Sequence, residues 1–82
     1  MLFLIDYDRK RGQMVKLERF DDSDRQKAED ARLELELSLN RHRIMREVVL
    51  LQAINEQSLR RTHRRYFENL AELVTSHDET AD

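Results

Sequence analysis

The sequence predicts an α+β fold, a β-hairpin followed by helix, strand and helix, with a three-stranded antiparallel sheet in the order 2-1-3 and both helices on one face. Three observations predict it. β-formers recur at period two on either side of the only glycine, Gly12. The segment from Asp24 to Arg41 is rich in Leu, Glu, Ala and Arg, all good helix formers. The unbroken apolar run Val48, Val49, Leu50 and Leu51 then precedes a second stretch of helical periodicity.

The hairpin comprises Leu2 to Asp8 and Gln13 to Phe20, with Phe3, Ile5, Tyr7, Val15 and Leu17 as its alternating apolar positions. A three-residue loop of Lys10, Arg11 and Gly12 closes it, with glycine in the left-handed conformation that has no Cβ clash. That loop sets Arg9 opposite Gln13, Tyr7 opposite Val15 and Ile5 opposite Leu17, and pairs Asp6 with Lys16 on the other face. Asp21, Asp22 and Ser23 stop the second strand, and Ser23 with Gln26 has the spacing of a capping box. The helix from Asp24 to Arg41 then buries Ala28, Ala31, Leu35 and Leu39. Leu33 and Leu37 point away from that stripe and form a second apolar seam.

The third strand is expected over Arg46 to Ala53, its apolar run suited to burial on both faces, although one copy of the chain is expected to cover only one. Asn55 caps the last helix, with Ile54 and Leu59 spaced as a hydrophobic staple. Its buried stripe is Leu59, His63, Tyr66, Phe67, Leu70, Leu73 and Val74, and the helix fades near Thr75. The reading is one domain over residues 1–76 with a flexible acidic tail over 77–82.

Composition narrows the chemistry. With 82 residues the stability margin is small, and with no cysteine and three scattered histidines neither disulfides nor zinc supplements it. One glycine and no proline leave no glycine-rich phosphate loop and no proline-rich linker. The apolar start, Met1 to Ile5, is too short for a signal-peptide core or a membrane span, so a cytoplasmic protein with no membrane partner is expected. The formal net charge of -2 conceals blocks of +2 over 1–20, -4 over 21–40, +5 over 41–67 and -5 over 68–82.

The densest chemical feature is Arg60, Arg61, Arg64 and Arg65 on the last helix. Guanidinium forks match phosphate oxygens, which makes these candidate anion or nucleic-acid contacts, extended by Arg9, Lys10 and Arg11 if the turn lies on the same side. The bland alternative is a solvated face neutralised by Glu56, four residues before Arg60, and by Glu68, four after Arg64. His63 reads as a half-buried histidine at the core edge, and no metal site, cofactor or catalytic residue is expected. Asp21, Asp22 and Asp24 serve a helix start, and no serine stands in a nucleophile motif.

Two functions follow as expectations. The first is a non-enzymatic protein-interaction module, homodimeric or docked on a larger protein, whose partner surface is the Leu33 and Leu37 seam with the outer sheet face of Leu2, Leu4, Val48 and Leu50. The second is a nucleic-acid-associated factor that contacts phosphates through the four arginines.

Overall fold

A computed structural model of the chain describes residues 1–68. The expected stripe residues Leu70, Leu73 and Val74 and the acidic tail lie outside the described residues. Strands β1 (Leu2–Asp8), β2 (Gln13–Phe20) and β3 (Glu47–Gln52) form an antiparallel sheet in the order β2-β1-β3. Helix α1 (Arg25–Arg41) links β2 to β3, and helix α2 (Glu56–Thr62) follows β3. The fold is therefore the small α+β arrangement expected, with the expected strand order.

The body of the hairpin has the expected register, Ile5 opposite Leu17 and Asp6 opposite Lys16. Its turn differs. The loop holds the four residues Arg9 to Gly12, so Tyr7 faces Met14 rather than Val15, and Gln13 faces Asp8 rather than Arg9. Val15 becomes the extra residue of a β-bulge and is exposed. The loop closes on the Asp8 carboxylate, which accepts from the Arg11 backbone N–H at 3.1 Å, and Gly12 takes the left-handed φ of 61°.

The two helices lie on opposite faces of the sheet rather than on one. α2 and the 3-10 turn after it (Arg64–Tyr66) bring Leu59 and Tyr66 onto Phe3, Ile5 and Tyr7, against Leu17, Val49 and Leu51. α1 covers the other face, where Ala31 and Leu35 lie by Leu4, Leu39 lies by Val48, and Arg25 reaches Gln52. Both alternations of β1 and β3 are apolar, and fully burying one Val or Leu side chain contributes about 1.5–3 kcal/mol. Two helices on one face would leave Leu2, Leu4, Val48 and Leu50 wet, whereas this arrangement buries Leu2 and Leu4 and half-buries Val48 and Leu50.

α1 buries Ala28 and half-buries Ala31, Leu35 and Leu39, the stripe the periodicity predicts. Its start is a 3-10 turn over Asp22–Asp24 that takes in Ser23, so the Ser23 capping box does not form, and Gln26 instead donates to Asp30 at 2.9 Å. Its end is a Schellman closure: Ile44 N–H donates to the Leu39 carbonyl at 2.8 Å, Arg43 N–H donates to that of Asn40 at 3.0 Å, and Arg43 has φ 55°.

Asn55 does cap α2, its side chain accepting from Ser58 N–H at 2.8 Å. Ile54 is exposed and makes no staple with Leu59. The expected single long helix breaks at His63, whose φ of -126° and ψ of 51° are not helical. The break turns Tyr66 back onto the sheet, where its ring meets that of Tyr7 edge-on at 5.3 Å.

Candidate functional site

Two of the six residues expected to form a partner surface remain accessible. Leu33 and Leu37 are 55% and 51% exposed, one helical turn apart on the face of α1 that the sheet does not use. Leu2 and Leu4 are withdrawn beneath α1, and Val48 and Leu50 are half-buried there, so the outer sheet face is not a free surface. Leu37 also forms the lip of a groove of about 520 Å³ between α1 and the edge strand β2, with Leu35, Ser38 and Arg41 along one wall and Lys16 and Glu18 along the other.

Arg60, Arg61 and Arg64 line one open depression of about 420 Å³ with Gln57, whereas Arg65 is directed elsewhere. Arg60 Nη2 pairs with Glu56 at 3.0 Å, and its guanidinium stacks 4.6 Å from the Phe67 ring centroid. Arg64 reaches Glu68 at 3.4 Å. Arg65 turns toward the sheet and binds Glu47 at 2.6 Å, with its guanidinium 4.3 Å from the Tyr66 ring centroid. Arg61 is exposed, with no ion pair among the described residues.

Glu47 is a junction. It opens β3, where it sits opposite Tyr7, and it accepts from Arg65 and from the Tyr66 hydroxyl, with Arg9 Nε 3.7 Å away as a looser ion pair. The Tyr66 hydrogen bond and then the two guanidinium groups hold its carboxyl below the ordinary glutamate range, against partial burial. Burial, and then the hydrogen bond to Glu47 and the Glu47 charge, push the Tyr66 phenol above its ordinary value, while the hydrogen bond to Glu47 raises Arg65. Both Glu47 oxygens are occupied, so the group acts as a clasp between β3 and the turn after α2.

Asp6 is 4% exposed, and its expected partner Lys16 instead approaches Glu18 at 3.5 Å. Asp6 Oδ2 accepts from Arg46 Nη1 at 2.9 Å, and its Oδ1 is buried with no hydrogen-bond partner among the described residues. Arg46 precedes β3 and can lean across its first residues, whereas Lys16 sits on an edge strand beside open water. His42 Nδ1 lies 2.8 Å from the Ser38 carbonyl, and half-buried His63 is 6.3 Å from the Tyr66 ring. Among the described residues there is no group of three or more potential metal ligands, and no helix long and apolar enough to cross a membrane.

The turn residues Lys10 and Arg11, expected to extend the basic surface of the last helix, instead join a second collection of basic groups. Antiparallel pairing sets Tyr7 opposite Glu47, and this brings the hairpin turn, with Lys10 and Arg11, beside the α1–β3 connection, with Arg43 and Arg46. The signal lay in the strand order, which places residues some thirty positions apart at one end of the sheet. Comparison of the chain with protein-family models, curated proteins and solved structures found no match.

Proposed function

We propose that this chain is a non-enzymatic protein-interaction module that forms a homodimer through the outer face of α1. The observation that carries the reading is the pair of exposed leucines, Leu33 and Leu37, on a helix whose opposite face is already spent on the sheet. An antiparallel second copy of the same helix, with a two-fold axis near Leu35, sets Leu33 against Leu37 and Glu29 against Arg41 at both ends, with Glu34 and Glu36 flanking the axis. The groove beside Leu37 offers room for the Leu33 side chain of the second copy. The seam is small beside the roughly 800 Å² per partner of a standard interface, so the dimer is expected to dissociate on dilution.

Light scattering across a concentration series tests this. The mass of the wild-type chain should rise toward twice that of one copy, and Leu37→Glu should hold it at one. Leu37 is half-exposed, so the substitution leaves the core untouched. A single-copy mass at every concentration ends the proposal, and a stable complex only with some other protein replaces it with a larger partner.

The alternative, a nucleic-acid contact through Arg60, Arg61, Arg64 and Arg65, draws less support, since three of these groups already meet a carboxylate. Its mark would be binding that weakens steeply with salt and disappears in Arg61→Glu.

A further inference from the structure

The hairpin turn and the α1–β3 connection enclose a cleft of about 590 Å³, within the size range of small-ligand sites. Four of its lining side chains are basic, Lys10, Arg11, Arg43 and Arg46, and one is acidic, Asp8. Arg11 lies 3.9 Å from Asp8, and Arg46 commits one nitrogen, Nη1, to Asp6. Lys10 and Arg43 meet no carboxylate among the described residues. We propose that this cleft binds a compact phosphate-bearing ligand, with Lys10 and Arg43 neutralising the anion and Arg11 and Arg46 offering their remaining N–H groups to its oxygens.

The chemistry selects the ligand. Three guanidinium forks and an ammonium on two separate backbone segments match the several oxygens of a phosphate or short polyphosphate better than a single carboxylate. Arg43 stands at φ 55°, a position that favours glycine, and the two Schellman hydrogen bonds fix its backbone at the mouth of the cleft. A long nucleic acid fits less well. No aromatic side chain lines the cleft for bases to stack on, and the chain carries a net charge of -2. Val15, Ile44 and Met45 are exposed on the rim, and Met45 is 85% exposed, so the organic part of the ligand has apolar surface to lie on. The same chemistry is offered by a soluble polyphosphate and by a phospholipid headgroup.

Titration of the isotope-labelled full chain at low ionic strength, followed by backbone amide shifts, distinguishes these sources. The probes are inorganic tripolyphosphate and small phosphatidylglycerol vesicles. Saturable changes centred on Lys10–Val15 and Arg43–Arg46 support the proposal. Tripolyphosphate alone marks a soluble ligand and vesicles alone a headgroup. Lys10→Glu combined with Arg43→Gly, which keeps the left-handed turn, should weaken binding roughly tenfold or more, and Arg61→Glu should leave it unchanged. The proposal is overturned if neither probe moves these amides, if the shifts centre on Arg60, Arg61 and Arg64, if the double variant binds as the parent does, or if only a mixed-sequence oligonucleotide binds.

Discussion

Asp6 is a carboxylate placed in the middle of the central strand and almost wholly removed from water, with one oxygen on Arg46 and the other unpartnered among the described residues. Removing one member of such a pair strands the other, which costs about 3–5 kcal/mol, whereas an apolar pair of similar volume is close to neutral or better. Urea unfolding should therefore show Arg46→Met destabilised by about 3 kcal/mol, the lower end because Arg46 reaches solvent, and Asp6→Leu with Arg46→Met recovering most of it. Equal losses in the single and double variants would show that the pair is not coupled. Glu47 offers a second test at this scale. Its folded pKa lies below the ordinary glutamate value of 4.5, so its contribution is complete above that pH and is lost as the pH falls through the folded pKa. Tyr66 behaves in the opposite sense: its raised folded pKa gives a contribution complete below its ordinary value of 10.0 and lost as the pH climbs above it. The gap in urea midpoint between wild type and Glu47→Gln should accordingly narrow as the pH falls below about 4.5, and a gap constant down to about pH 3 would count against the clasp.

At the scale of elements, α2 is the one that cannot stand alone. Seven residues are too few for a stable isolated helix, so it depends on its Asn55 cap, on Leu59 and on the Glu47 clasp that follows it. Leu59→Ala should cost about 3 kcal/mol and strip amide protection from Glu56–Thr62 while that of β1 falls less, and uniform loss across the chain would contradict this separate docking. The strands, the α1 stripe and the Asn55 cap were legible in the sequence because each rests on local period or local capping chemistry. The His63 break was not, since helical spacing continues through Tyr66 and Phe67 and only the tertiary pull of Tyr7 and Glu47 on Tyr66 interrupts it. The four-residue hairpin loop escaped for a related reason. A bulge at Val15 absorbs its extra residue, leaving the register of Ile5 and Asp6 the same for either loop.

For the whole molecule, the decisive fact is that β1 and β3 are apolar on both sides and the chain covers both sides itself, with α1 on one and α2 on the other. Expecting both helices on one face left Leu2, Leu4, Val48 and Leu50 in search of a partner. Their apolar character was legible, but which helix covers which face depends on the route of the chain over the sheet, which no local pattern encodes. The same topology assembles the cleft of Lys10, Arg11, Arg43 and Arg46 and draws Arg65 out of the arginine run onto Glu47. Of the expected partner surface the fold leaves exposed the outer seam of α1, and the association proposed for the chain rests on it.

Solvent relaxation of leucine methyl groups by a soluble paramagnetic agent, recorded from dilute to concentrated protein, examines coverage and association together. Leu2, Leu4 and Leu59 should be shielded at every concentration, while Leu33 and Leu37 should be strongly relaxed in dilute solution and become shielded as the concentration rises. Relaxation of Leu2 and Leu4 in dilute solution, or of Leu33 and Leu37 that persists undiminished in the concentrated sample, would contradict it.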